Sequence, residues 1–276
     1  MVDKLLRKCY AIVGPTVFEM TGKRPWRFGY SPYKQREIAR VLENGGFDPM
    51  TLPPGYGFRL DERIVEYPWF FSRLPDSKGL MLDAGSVLNH GYLLRQPKLA
   101  SKQIFISTLA PEVNCFWRRG ISYVYEDVRR SCFRDNQFDW IVSLSTIEHI
   151  GMDNTMLYTA DATKREDETA SHLVAIKEYS RMLKPGGTLY VSVPFGKHLN
   201  YGWFQIFDAD MVDRVIDTFG PKRLNEFHYR YEPSGWVVST RQQSANATYF
   251  DIHKTRQYDP DYAAASRAVV CLELVK

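Results

Sequence analysis

Five short apolar runs, beginning at Gly79, constrain the fold of this chain more than any other feature. They occupy residues 80–84, 103–107, 121–125, 140–144 and 188–193, each of strand length and rich in β-branched or aromatic residues. Helical patterns separate them. Before the fifth run, Leu173, Ile176, Tyr179 and Leu183 step by three and four, and the pattern stops at Lys184-Pro185-Gly186-Gly187. After it, Asp208 is a candidate N-cap for a helix with Val212, Val215, Ile216 and Phe219 on one face, ending at Gly220-Pro221. Residues 268–275 read as a last strand, paired with 236–240. Strands alternating with helices predict an α/β fold, a doubly wound and mostly parallel sheet covered on both faces.

Residues 1–75 have another character. They are rich in Pro, Gly and aromatics (RPWRFGYSPY, LPPGYGF, EYPWFF), with one clear helical pattern at 32–43. So many exposed rings would be an aggregation liability, so the stretch is expected to pack as an arm or cap (1–75) on a main domain (76–276). The start, MVDKLLRKCYAIVGPTVF, puts basic residues before a short apolar run. Gly14 and Pro15 break that run and no small-x-small site follows, which favours an amphipathic helix over a signal peptide. No stretch approaches the roughly 18 apolar residues of a membrane span. Lys and Arg total 36 against 32 Asp and Glu, a net charge of +4 without a basic stripe, which argues against a nucleic-acid partner. Cys9, Cys115, Cys132 and Cys271 are scattered without a CxxC pair, as expected of reduced thiols in a cytoplasmic protein.

In an open α/β sheet, ligands sit beyond the carboxyl ends of the strands. The first run leads into Asp83-Ala84-Gly85-Ser86-Val87-Leu88-Asn89, where Gly85 permits close approach of a ligand and a following helix start would offer free N–H groups. The third leads into Glu126-Asp127-Val128, where a carboxylate could accept from an adenine amine or cap the next helix. The fourth leads into Ser145-Thr146-Ile147-Glu148-His149, an acid and an imidazole at a strand exit, either facing a ligand or facing solvent.

The order LMLDAGS, YVYEDV, FDWIVSLSTIEHIG, EYSRMLKPGGTLYVSVPFG resembles the class I S-adenosylmethionine-dependent methyltransferases, especially the group with an FD…EHI…LKPGG signature. The likeness runs from about Gly79 to Gly196. It implies a Rossmann-like, seven-stranded sheet, S-adenosylmethionine as cofactor and S-adenosylhomocysteine as product. By the same resemblance Asp83, Gly85 and Ser86 form the turn around the methionine part, Asp127 receives the adenine amine, Val128 packs near the ring, and Ser145 lines the sulfonium end. The LKPGG turn is structural in that family. Two departures stand out. Val87 and Asn89 hold positions where the family usually has Gly, and after the second strand Ser107-Thr108-Leu109-Ala110-Pro111-Glu112 lacks the usual ribose-binding acid, leaving Glu112 or Thr108 as substitutes. A dinucleotide-binding protein would need G-x-G-x-x-G and an acid about 20 residues later, which are not present.

Methyl transfer to a hydroxyl needs alignment and a proton acceptor. His149 is the expected general base, with Glu148 beside it and His198, after the fifth run, as the next candidate. Related hydroxyl methyltransferases use a Glu-His pair with a further acid to hold a divalent metal; Ser145 and Thr146 leave that set incomplete, so no metal is expected. Tyr201, Trp203 and Gln205 follow the fifth strand, where the family builds its acceptor pocket, and suit a sugar or an aromatic ring. The arm is expected to wall the acceptor side. The run Asp61–Trp69 followed by LDAGSVLNHG also resembles a subgroup of bacterial surface-polysaccharide enzymes. These readings together predict O-methylation of a saccharide or small hydroxyl compound in polysaccharide biosynthesis. The alternatives are an RNA or protein methyltransferase and a non-catalytic binding module of the same fold.

Overall fold

The computed structural model describes residues 2–159, 161–251, 255 and 257–276. Three helices come first: α1 (Val2–Met20), α2 (Tyr30–Asn44) and α3 (Arg63–Arg73). Strands β1 (Gly79–Ala84), β2 (Lys102–Thr108), β3 (Ser122–Tyr125), β4 (Phe138–Leu144) and β5 (Leu183–Pro194) pair in parallel in the order β3-β2-β1-β4-β5. Two short helices, α4 (Pro97–Ala100) and α5 (Thr155–Tyr158), lie in the connections, and α6 (His172–Met182) leads into β5. A two-residue hairpin, β6 (Leu199–Asn200) with β7 (Gln205–Ile206), precedes α7 (Ala209–Phe219). Then come β8 (Arg223–Glu232), β9 (Gly235–Ser239), a single turn α8 (Arg241–Ser244) and β10 (Ala268–Val275).

The doubly wound expectation holds, with differences at the far edge. The described sheet has eight strands rather than seven. β10 pairs antiparallel with β5 and β8, not with 236–240; β9 joins β8 instead. The charged alternation of RLNEFHYRYE hides β8 from an apolar-run criterion. Asp208 caps α7 by accepting from the Met211 N–H, and Gly220 ends it in the left-handed conformation, as the sequence indicates.

Alternation along β5 assigns the two faces. Leu189, Val191 and Val193 join the core under α6 and α7, with Ile176, Tyr179, Val212 and Val215. Tyr190 points to the other face, where α3 covers the sheet. There Trp69 meets the Tyr190 and Phe227 rings at 6.0 and 6.1 Å, and Tyr190 Oη donates to the Arg73 carbonyl at 3.1 Å. Residues 64–71 of α3 are all buried and the helix contains Pro68, which is why its pattern escapes detection. α1 likewise continues through Pro15. At Gly29, with φ +85°, a Cβ would lie 1.9 Å from the Gly14 carbonyl oxygen, so α1 and α2 can meet this closely only through glycine.

Arm and sheet therefore share one core. Trp69→Ala should lower stability by about 3–5 kcal/mol, the usual cost of emptying a buried aromatic site. Denaturant unfolding followed by tryptophan fluorescence and by far-ultraviolet circular dichroism should give coincident transitions for arm and sheet; two separated transitions would make the arm an independent unit.

Candidate active site

The exits of β1, β2, β3 and β4 enclose a cavity of about 360 Å³, within the size range of small-molecule sites. Gly85, Ser107, Thr108, Asp127, Val128, Thr146 and His149 line it, and Asn154, Thr155, Tyr158, Thr159, Lys164 and Glu166 form its outer wall. Gly85 has φ +116°, and a Cβ there would sit 2.4 Å from Thr146 Cγ2, so only glycine fits this cradle. Asp83 lies beneath, fully buried, and accepts from the Val87 and Leu88 N–H groups at 3.0 and 2.8 Å. Burial pushes its carboxyl up to about 7 against the pull of those two donors. Its work is to shape the turn, and it does not line the cavity.

No helix follows this turn. Residues 87–96 form successive turns in place of the expected helix start, and the Val87 and Leu88 N–H groups are taken by Asp83. Asn89, one of the two non-glycine departures, holds the altered loop through its side chain. Asn89 donates to the Asn114 carbonyl and accepts from Tyr123 Oη at 2.8 Å, and the Val87 carbonyl accepts from Tyr67 Oη on α3 at 2.8 Å.

Asp127 lines the cavity but also caps the short turn at Val128–Arg130 by accepting from the Arg129 N–H. Its carboxylate further accepts from Arg129 Nε and Nη2, the latter at 2.7 Å, and these bonds hold its pKa below the usual carboxylate range despite the burial opposing them. Arg129 also reaches Glu166 on the outer wall at 2.8 and 2.6 Å. Asp127 is thus the end of an ion-pair bridge across the cavity mouth. Thr108 is at the cavity and Glu112 is not.

A second cavity, about 230 Å³, adjoins the first, and His149 and Glu148 stand at the seam. His149 lines both; Glu148 lines the second with Ser145, Trp203, Phe204 and Tyr249. The remaining wall comes from Trp26, Lys34, Asp61, Glu62 and Arg63. Lys34 pairs with Asp61, and Arg63 pairs with the buried Glu66 at 2.9 Å. Glu66 also accepts from Ser145 Oγ and Ser192 Oγ, tying α3 to the exits of β4 and β5. His149 Nδ1 is 2.9 Å from the Trp203 carbonyl, which fixes the ring with Nδ1–H donating and Nε2 free of that bond. Burial lowers its pKa to about 4, the Trp203 bond opposing and Arg63 reinforcing that shift. Nε2 lies 3.9 Å from Glu148 Oε1. Glu148 is only 2% exposed, so the solvent-facing alternative fails, and burial raises its carboxyl well above the usual range.

A family model described as "Methyltransferase domain" matches residues 85–191. Over those residues the chain is a methyltransferase domain. Solved structures similar to it include the [4+2]-cyclase SpnF (18% identity, TM-score 0.49, 88% of this chain and 93% of that one). A Thermotoga maritima S-adenosylmethionine-dependent methyltransferase gives 15% and 0.46, covering 76% and 88%. The Burkholderia thailandensis 1,6-didemethyltoxoflavin-N1-methyltransferase, solved with bound 1,6-didemethyltoxoflavin and S-adenosylhomocysteine, gives 10% and 0.43, covering 100% and 89%. No curated protein matches the chain by sequence. None of these likenesses bears on what the methyltransferase acts on.

S-adenosylmethionine is the cofactor. The Gly85 cradle and the polar rim of Ser107, Thr108 and Asp127 suit it in the larger cavity. Of the residues expected there, Gly85, Asp127 and Val128 line that cavity and Ser145 lines the second, while Asp83 and Ser86 line neither, Asp83 bracing the turn by its two N–H bonds. Of the expected acceptor residues only Trp203 reaches the second cavity. Tyr201 stacks on Phe204 at 4.6 Å, and Gln205 is fully buried with Nε2 donating to the Thr169 carbonyl, because the β6–β7 hairpin turns both away. His198 is exposed on the same hairpin, Nδ1 at the Ile206 carbonyl, outside both cavities. The acids and cations on α2 and around the start of α3 are functional-site candidates that motif reading passed over; their one sequence signal is charge inside an apolar, aromatic run.

Asp83, Glu62 and Glu148 keep protons in the folded state that they release when unfolded. Folded carboxyls raised above their unfolded values stabilise at low pH, and that contribution is lost as pH rises through the folded values, about 7 for Asp83 and about 8 for Glu62. The depressed imidazoles of His149 and His172 act oppositely, but only below about 6.5, where unfolded histidine charges. Stability should therefore fall from pH 6.5 to 8.5, with a shallower fall in Glu62→Gln. Denaturant midpoints across that range check it; a rising midpoint contradicts the assignment.

Proposed function

We propose that the protein methylates a hydroxyl of a saccharide or small hydroxyl compound held in the second cavity. The observation that carries this reading is the seam: His149 lines both cavities, so one side chain faces the cofactor site and a pocket of carboxyls and rings. Aromatic faces with hydrogen-bonding acids are the chemistry that suits a polyol ring, and the resemblance to surface-polysaccharide enzymes agrees with it. Bound in the larger cavity, S-adenosylmethionine supplies an activated methyl group, its carbon–sulfur bond breaking as a carbon–oxygen bond forms. The chain's own residues orient the hydroxyl and take its proton.

His149 is the proton acceptor in this reading. Its neutral ring, fixed by the Trp203 carbonyl, leaves Nε2 to receive the proton as the oxygen attacks. Trp26 of the arm and Trp203 of the β6–β7 hairpin hold the acceptor, and Ser145, itself held by Glu66, sets the floor.

The test is turnover on a saccharide panel with S-adenosylmethionine. His149→Ala should lower turnover by about 10²–10⁴-fold, the usual worth of general-base help, while S-adenosylhomocysteine affinity in calorimetry stays within a few-fold. A rate that survives, or that falls only in step with cofactor affinity, removes His149 as base. For Asp127→Ala, S-adenosylhomocysteine affinity should fall by about 1–3 kcal/mol if this carboxylate accepts from the adenine amine; unchanged affinity would leave it only the Arg129 bridge.

A further inference from the structure

The acidic wall of the second cavity holds more carboxyls than its cations satisfy. Lys34 is bonded to Asp61, and the Arg63 guanidinium goes to Glu66 and the Leu144 carbonyl. No side-chain donor meets the Glu62 carboxyl among its described hydrogen bonds; it accepts from the Ser266 N–H at 3.2 Å. Glu148 is nearly fully buried at the cavity wall, and its Oε2 has no hydrogen-bond partner among the described residues. A buried carboxyl oxygen without a donor is costly unless a ligand completes it. Burial raises both Glu62 and Glu148; Asp61 and Glu66 add to it at Glu62, Glu66 and Glu62 add to it at Glu148, and Arg63 only partly offsets this at each. The other groups facing the pair are His149, neutral here, and Tyr249, which also feels Asp251.

The missing partner is a cation with donors to spare. Among the described residues no three of His, Cys, Asp and Glu converge as a metal site. Trp26, Trp203, Phe204 and Tyr249 line the same cavity, and ring faces attract organic cations. We propose that the acceptor carries a basic amine, received as an ammonium by Glu62 and Glu148; within the saccharide reading, on which this rests, the acceptor is an amino sugar. Binding then ionises carboxyls that hold protons in the free protein, so protons leave as the ligand enters. A neutral sugar offers no charge to drive that release.

Calorimetry on the full chain with S-adenosylhomocysteine present, at pH 7 in two buffers of different ionisation enthalpy, tests this with D-glucosamine, D-glucose, N-acetyl-D-glucosamine and ethanolamine. Glucosamine should bind about tenfold or more tighter than glucose and the N-acetyl sugar, as expected for a charge-assisted pair, and should release protons. Glu148→Gln and Glu62→Gln, made separately so that one misfolded variant leaves the other informative, should each reduce both the preference and the release. Glucose bound as well as glucosamine, without proton release, overturns the amine and leaves the saccharide reading standing. Ethanolamine bound while no sugar binds supports the amine and overturns the saccharide. Binding of none of the four overturns both.

Discussion

Glu66 carries its carboxylate into the interior at the join between α3 and the ends of β4 and β5. A buried charge is expensive, and its cost is offset only when every lone pair finds a donor. Here Arg63 supplies one oxygen, and Ser145 and Ser192 supply the other. The three donors come from the helix itself and from two strand exits, so α3 can sit on the sheet in only one register. Asp61, Glu62 and Arg63, just before and at the start of the helix, are placed against the second cavity by the same lock. Breaking such a pair from one side typically costs about 3–5 kcal/mol, which makes the arm's position a property of the sheet's own strand ends.

That lock also explains how α3 can serve as a layer of the fold. In a doubly wound sheet each face needs helices, and the connection after β1 supplies only turns and the four-residue α4. Tyr67, Trp69, Phe70 and Phe71 take over the burial that a helix in that connection would otherwise provide. The loop after Gly85 is then free to be held by side chains, Asn89 to Tyr123 and Val87 to Tyr67, instead of by a helix axis. The departures from glycine at Val87 and Asn89 and the aromatic arm are two sides of one arrangement.

What was legible in the sequence divides along this line. Strands β1 to β5 announce themselves as short apolar runs, and α6 and the capped α7 by period, cap and stop residue, because each of these helices buries one face. α3 and β8 do not, since α3 is buried all round and β8 alternates with charge. At the site, Gly85, His149 and Trp203 were legible as strand-exit chemistry. Asp127 was legible as an acid but not as the end of the Arg129–Glu166 bridge, whose far partner lies 37 residues away. Tyr201 and Gln205 were legible as ring and amide, yet a two-residue hairpin decides which way they face. The acids around α3 needed tertiary structure, because nothing local distinguishes a charge that lines a cavity from one that faces water.

The same burial acts in opposite senses on the two residues at the seam. It disfavours the charged form of each, so Glu148 keeps its proton and His149 gives its proton up. The seam is therefore a carboxyl held toward its protonated form beside a ring held toward its neutral form, 3.9 Å apart at their closest nitrogen and oxygen. This arrangement leaves a free ring lone pair for an incoming proton and a carboxyl able to ionise toward an incoming cation, without an isolated charge in the empty pocket. The charge state of the site is consequently set by what fills it, while Lys34–Asp61 and Arg63–Glu66, already neutralised in pairs, hold the walls in place.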